Sequence, residues 1–293
     1  MAGYSRAFGA LPFGDGGIFG VMYVAPRLKS TETLRRENVI DSKDSPIRLL
    51  ASDRHDYVVK VQRYATSKGV VKEWLCGHFL KLWDLPVPDF AVIDIQKQHV
   101  PIGFHREYQP FHFDRPAFGS KAVPGVQEVT LFDSFPQSRS KELRADLLGI
   151  ALFDIWTSNI DRHDGHYNML YATSGRARYI PIDHEMCLDF LDWGNAPSLQ
   201  TENESVIDSL LFRTYVNARA RRRMERSPAG RTQFVNHIAR CREYLPQVIQ
   251  QMPLEWQGAI PDLIDQLAST IFTEDWLNTV WETYLSFLNN PDQ

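Results

Sequence analysis

One stretch constrains this chain more than any other. Between Thr157 and Asn168 it crowds Ser158, Asn159, Asp161, Arg162, His163, Asp164 and His166, all polar, between two apolar neighbours. Before the stretch, Leu147, Leu148, Ala151, Leu152, Ile155 and Trp156 recur at helical spacing, predicting a helix from about Lys141 to Trp156. After it, Asn168 to Tyr171 and Ala177 to Ile182 read as two short strands around the turn Thr173–Gly175. A polar loop so flanked lies at the edge of a core. It must be solvated or liganded, because unpaired carboxylates and imidazoles are costly to bury.

Upstream the periodicity is that of strands. Asp56 to Gln62 is β-branched and aromatic, and Ser45 to Leu50 reads as its partner strand, with Ala51 to His55 as the turn. Val70, Val71, Trp74, Leu75, Phe79 and Leu82 then fall at helical spacing, and Pro86 and Pro88 forbid continuation. Phe90 to Ile95 returns to strand, whereas residues 100 to 140 carry no clear period. Beyond about Asn203 the pattern is helical, and the last helix aligns Trp276, Leu277, Val280, Trp281, Tyr284 and Leu288 behind Thr273 as N-cap. The expectation is an α+β fold of two lobes. A β-rich N-lobe covers residues 1–120, and a mostly helical C-lobe covers 121–293.

Composition narrows the partners. With 32 Lys and Arg against 36 Asp and Glu among 293 residues, no global charge draws the chain to nucleic acid or anionic lipid. No apolar run approaches the roughly 20 residues of a membrane helix, and the opening residues make a poor signal peptide, so the mature chain is expected to start near Met1. Cys76, Cys187 and Cys241 are odd in number and far apart, which fits neither a disulfide framework nor a thiolate zinc site. A soluble cytoplasmic protein is expected.

Chemistry gives the polar stretch a meaning. Phosphoryl transfer needs a carboxylate to orient the attacking hydroxyl and oxygen ligands to hold magnesium against nucleotide phosphates. Asp161 is placed for the first task; Asn168 and Asp183, on adjacent strands of one hairpin, can converge on one cation. Lys60, a charge inside an otherwise apolar strand, is the candidate for reaching the phosphates, and Glu73 on the next helix is its natural partner.

Asp161-Arg162-His163, Asn168 and Ile182-Asp183-His184 resemble the catalytic loop and metal-binding motif of the HipA-like kinases, which share the protein-kinase-like fold with phosphoinositide kinases. Lys60, then Lys72-Glu73, then Leu85 to Pro88 follow the N-lobe pattern of that family in the same order, and Val24 to Pro26 resembles a remnant of its opening strand. The similarity spans about residues 20 to 195. It implies ATP with Mg2+ as cofactors and Asp161 as catalytic base. It further implies Asn168 and Asp183 as metal ligands, Lys60 on the ATP phosphates, Glu73 fixing Lys60, and a protein Ser or Thr as acceptor. Many kinases place the metal-binding Asn five residues after the catalytic Asp. Here His166 stands there and Asn168 comes at seven, so both enter the candidate metal set. No glycine-rich loop covers the phosphates; the segment Asp41 to Ser45, with the Ser42 and Ser45 hydroxyls and its backbone N–H groups, is the candidate substitute. Phe104 to Phe118 is expected to lead into the hinge that holds adenine.

Other readings compete. Asp161 suits an Asx turn, Lys60 an edge-strand lysine that snorkels, and Glu73 a solvated helix position, since it lies off the main apolar stripe. Arg162 and His163 are read as supports of the loop. His163-Asp164 with His166 and Asp183-His184 also suggests a metal-dependent phosphohydrolase, although Gly165 and the hairpin suit that helical framework poorly. A pseudokinase that binds nucleotide without turnover is the third reading. Arg219 to Arg226 is read as a solvated basic helix face, Trp276 and Trp281 as core, and the Ser134–Ser140 stretch as one speculative autophosphorylation site.

Overall fold

The computed structural model describes residues 22–42, 44–130, 141–172, 176–194, 196–225 and 228–289. The opening segment, Lys43, the Ser134–Ser140 stretch, the turn Thr173–Gly175 and Arg226 lie outside the described residues. The fold is mixed α+β, strands first and helices after, as the periodicities predict.

The first sheet holds β1 (Arg27–Lys29), β2 (Ile47–Leu50), β3 (Asp56–Lys60), β4 (Phe90–Asp94) and β5 (Ala117–Lys121) in the order β1-β4-β5-β3-β2. Only β1 and β4 run parallel; the other neighbours are antiparallel. The β2–β3 hairpin turns where expected, with Ile47 opposite Val59 and Leu50 opposite Asp56. Val24 to Pro26 leads into β1, and the Pro26 carbonyl accepts the Val92 N–H at 2.9 Å.

Strand β5 lies in the stretch without a readable period, yet it sits between β4 and β3 at the centre of the sheet. Its Gly119 explains both facts. Glycine depresses strand propensity, but a Cβ at 119 would stand 2.5 Å from Ile93 Cγ1, so the close approach of β4 requires it. Alternation then divides the sheet. Ile47, Leu49, Tyr57, Val59, Ala91 and Ile93 pack with Phe104, Tyr108 and Phe113 on one face. Phe90, Val92 and Phe118 face helix α1 (Gly69–Leu82) on the other.

Helix α1 departs from the amphipathic expectation: twelve of its residues are buried, Lys72 and Glu73 included. The cause is cover on a second side. Trp74 Nε1 donates to the Val248 carbonyl at 2.9 Å, the Trp74 ring meets Trp256 edge-on at 5.8 Å, and Trp83 stacks on Trp156 at 5.4 Å. Val248 belongs to the long helix of the C-terminal half, so α1 shares one continuous core with that half.

That half begins with β6 (Val126–Glu128), followed by α2 (Lys141–Trp156), β7 (Met169–Ala172) and β8 (Arg178–Pro181). The three strands form a second sheet, β6-β7-β8. Asp146 on α2 fastens β8 by taking the Arg178 guanidinium at 2.9 Å and the Tyr179 N–H at 3.0 Å. The remaining helices are α3 (Phe190–Trp193), α4 (Leu210–Tyr215), α5 (Ala218–Glu225), α6 (Pro228–Gln250), α7 (Leu254–Gln257), α8 (Leu263–Ala268) and α9 (Glu274–Asn289). Thr273 caps α9 as expected, its Oγ1 accepting the Trp276 N–H at 3.3 Å. Tyr284 of α9 reaches the Leu148 carbonyl on α2 at 3.3 Å, and Trp281 is buried in the core. All three cysteines are buried and free. Among the described residues no helix is long and apolar enough to cross a membrane.

Candidate active site

The polar loop after α2 is organised around a buried ion pair. Arg162 is fully buried, and its Nε lies 2.9 Å from Asp154 Oδ2 on the last turn of α2. Its Nη1 donates to the Tyr167 carbonyl at 3.0 Å and also to the Asn168 carbonyl, so one side chain joins the helix, the loop and the start of β7. Burial pushes the Asp154 pKa up, against the pull of Arg162 and of Asn159, whose Nδ2 donates to Asp154 Oδ1 at 2.9 Å. Asn159 Oδ1 in turn accepts the Asp161 N–H at 3.2 Å. Arg162 is thus the loop support the sequence predicts.

Asp161 is held at both carboxylate oxygens. His166 Nδ1 lies 2.9 Å from Oδ1, and Asn168 Nδ2 donates to Oδ2 at 3.0 Å and to the Asp161 carbonyl at 2.9 Å. His166 therefore stands beside the carboxylate, with the nitrogen facing it already engaged. Asn168 has spent its amide nitrogen and keeps Oδ1 for another partner. Across the hairpin, the Ile182 N–H donates to the Asn168 carbonyl at 2.9 Å, which brings Asp183 to the same end. Asn168 (φ 45°) and Asp183 (φ 57°) both occupy the left-handed region. Asn and Asp tolerate that region better than other non-glycine residues, at a strain of about 1 kcal/mol or more each.

From the first sheet, β3 delivers Lys60 to this point. Its Nζ lies 2.6 Å from Glu73 Oε1, 2.6 Å from Asp183 Oδ1 and 3.4 Å from Glu185 Oε2. Burial works against the charged form of Lys60, but these carboxylates outweigh it and hold its pKa above the ordinary lysine value. Burial likewise opposes the Glu73 carboxylate; Lys60 and His184 overcome it and keep the Glu73 pKa below the usual range. His184 donates its N–H to Glu73 Oε1 at 3.1 Å, and its Nδ1 lies 3.2 Å from Oε2. Glu73 is not a solvated helix position: the double cover of α1 makes it one end of a buried charge network.

Ser42 and Ser45 stand apart from this network. The Ser45 hydroxyl donates back to the Ser42 carbonyl at 3.2 Å, and Tyr108 Oη caps the Ser45 carbonyl at 2.5 Å. With Asp41, His105, Arg106 and Glu107 they line a cavity of about 370 Å3.

One residue of the site, Glu185, carried no signal in the sequence, and for Lys72, part of the family pattern, the burial did not show. Glu185 is the third carboxylate on Lys60. Lys72 is a buried lysine whose ammonium pairs with Asp192 and donates to the Glu185 carbonyl at 3.1 Å. Lys68 adds a bond to the Leu191 carbonyl, so α1 grips the segment that follows Asp183. A helical Lys-Glu pair is usually exposed, which is why the burial of Lys72 is not legible in the sequence.

The His163-Asp164 dipeptide serves local structure. His163 Nδ1 faces the Asp164 carbonyl at 2.9 Å, and Asp164 accepts the Leu210 N–H at 3.0 Å. Among the described residues no group of three His, Cys, Asp or Glu side chains is placed to hold a metal ion by itself. The donor set that is present, an amide oxygen and a carboxylate, suits magnesium, which keeps waters and completes its shell with substrate phosphates.

A family model described as HipA-like kinase matches residues 36–282. The chain belongs to the HipA-like kinase family, as the motifs imply. A solved proinflammatory kinase of Helicobacter pylori, CtkA, is similar over 91% of this chain and 100% of that one, at 12% identity and a TM-score of 0.49. HipA of Shewanella oneidensis MR-1 was solved with HipB and operator DNA of a toxin–antitoxin system. It is similar over 79% of this chain and 57% of that one, at 13% identity and a TM-score of 0.39. No curated protein matches the chain.

Proposed function

We propose that this chain transfers the γ-phosphoryl group of ATP, with magnesium, to a serine or threonine hydroxyl of a protein. The observation that carries the reading is the shared hold on one ammonium: Lys60 Nζ lies 2.6 Å from both Glu73 and Asp183. A buried helix carboxylate orients the lysine, and the carboxylate beyond it belongs to the hairpin that carries the loop. Such an arrangement fits a place where phosphate oxygens and a cation are handled together.

Each residue then has a task. Lys60 contacts the phosphates and Glu73 keeps it extended. Magnesium, held by Asp183 and by Asn168 through Oδ1, supplies neutralisation of charge on the phosphate oxygens when bound. Asp161 orients the acceptor hydroxyl and takes its proton at a carboxylate oxygen. Because His166 and Asn168 already hold that carboxylate, its direction is set before the acceptor arrives. His166 acts in this reading on Asp161 and not on the metal. Nucleotide sits between residues 1–120 and the rest. The choice of a protein acceptor rests on the family. A reducing cytoplasm suits the three free cysteines.

The test is transfer from labelled ATP in magnesium, wild type beside Asp161→Ala and Asp183→Ala. Incorporation by the wild type that disappears in both folded variants supports the reading. Nucleotide binding without any incorporation replaces it by a nucleotide-binding module without turnover.

A further inference from the structure

Lys60 is over-compensated. Three carboxylates, Glu73, Asp183 and Glu185, converge on its single ammonium at 2.6, 2.6 and 3.4 Å. Glu73 and Asp183 have the roles given above; Glu185 has none. Nor is Glu185 a loose surface side chain. Its carbonyl is held by buried Lys72, and the neighbouring Asp192 pairs with the same ammonium. Its carboxylate rests against Gly69 at the start of α1, where a Cβ would run into Oε1. The clash falls on the far end of a flexible side chain, so an added methyl would push this carboxylate aside and leave the backbone in place.

The consequence is electrostatic. Three negative groups against one positive one leave an excess of negative charge where an anionic nucleotide must approach. At a separation of a few ångströms each unit charge matters even at a partly screened site. A nucleotide without its cation meets a lysine already claimed. A nucleotide carrying a divalent cation brings positive charge that can engage Asp183 and free the ammonium.

We infer that Glu185 is a positioning residue that holds Lys60 against metal-free nucleotide, so that the site accepts ATP as its magnesium complex. This inference rests on the kinase reading above and assigns to it a step of selection at binding. Glu185 touches Lys60 and acts through it; it makes no bond to the transferred group.

The test measures binding, not turnover. ATP affinity is determined by calorimetry for the full chain in magnesium and in EDTA, for wild type, Glu185→Gln and Gly69→Ala. Glu185→Gln removes the charge, whereas Gly69→Ala leaves the charge and pushes the carboxylate aside, so the two reach the same end independently. The expected result is a strong magnesium preference in the wild type. That preference should shrink by about fivefold to tenfold in Glu185→Gln, through tighter binding in EDTA. Gly69→Ala should move it in the same direction. A folded Glu185→Gln protein with the wild-type ratio overturns the inference and leaves the kinase reading standing, because that reading is decided separately by transfer from labelled ATP. A wild type that binds ATP in neither condition overturns both.

Discussion

Arg162 Nε lies 2.9 Å from Asp154 Oδ2, and neither side chain reaches solvent. The pair does more than neutralise itself, because the rest of the guanidinium holds the carbonyls on which the loop closes. Removing one partner leaves the other charge buried and the carbonyls without a donor. Arg162→Ala is expected to lose about 3–5 kcal/mol of stability, read from urea denaturation. Arg162→Lys keeps the charge but not the planar fork and should recover only part of it. A loss below 1 kcal/mol in the alanine variant would show that the loop does not depend on this hub.

Asp161 is partly exposed, so removing its charge should spare the fold and not the chemistry. In the transfer assay Asp161→Asn is expected to fall by about 10²- to 10⁴-fold, the usual contribution of a positioned acid–base group. His166→Ala should lose less, roughly tenfold, because Asn168 still holds one carboxylate oxygen. Equal losses in the two variants would instead give His166 a direct part in catalysis.

Lys60 and Glu73 differ in what they cost. Lys60→Met strands the buried Glu73 carboxylate, whose pKa is held below the usual range chiefly by that lysine against burial. A depressed carboxylate gives stability above its unfolded pKa, about 4.5, that is lost as pH falls through the folded value. Lys60→Met should therefore lower the thermal midpoint most at neutral pH, with the deficit narrowing on acidification. A deficit independent of pH would mean that Glu73 is not the group left stranded.

A second acid-sensitive group lies on α1 itself, beyond Glu73. His78 is buried among Tyr23, Trp74 and Phe90, and burial, aided by Lys81, pushes its pKa down to about 3. The unfolded chain takes up a proton near 6.5 while the folded chain does not. Stability then falls below about pH 6.5 at up to roughly 1.4 kcal/mol per pH unit until the folded value is reached. His78→Phe should flatten that limb in denaturation midpoints taken between pH 7 and 5. An unchanged slope assigns the acid lability elsewhere, His237 being the next candidate.

Gly119→Ala tests the central strand. The added Cβ would stand 2.5 Å from Ile93 Cγ1, and over-packing of this kind costs about 1–3 kcal/mol. Ile93→Ala alone leaves a cavity, so the double variant should be more stable than the sum of the two single losses implies. Strict additivity would argue that β4 and β5 are not in contact there.

What could be read in the sequence follows from which forces are local. The α2 boundaries, Lys141–Trp156, agree with the periodicity because that helix is bounded by its own residues. The β2–β3 hairpin was legible for the same reason. Strand β5 was not, since its glycine is required by a neighbour 26 residues earlier in the chain. Lys60 drew notice as a charge among apolar residues, and Glu73 followed as its counter-charge. The burial of Glu73 was hidden, because it comes from Lys60 on β3 and from His184, 111 residues further on, and no window of sequence contains them together. The burial of Lys72 and the place of Glu185 stayed hidden on the same ground: each is ordinary in its own segment, and only the packing of α1 against the segment after Asp183 makes them a unit.

The enclosure of α1 has a mechanical meaning. A helix with one open side can act as a lever, swinging its glutamate away from a lysine to idle an enzyme. Here such a swing would tear Trp74 from Val248 and Trp83 from Trp156, a penalty of core size. The segment from Asp183 to Trp193 is fastened as firmly: Lys68 and Lys72 clip it to α1, and Cys187, Leu188, Phe190 and Leu191 are buried in the same core. The Lys60–Glu73 pair is therefore set between two parts that share one core, and its geometry is fixed by packing and not by a hinge.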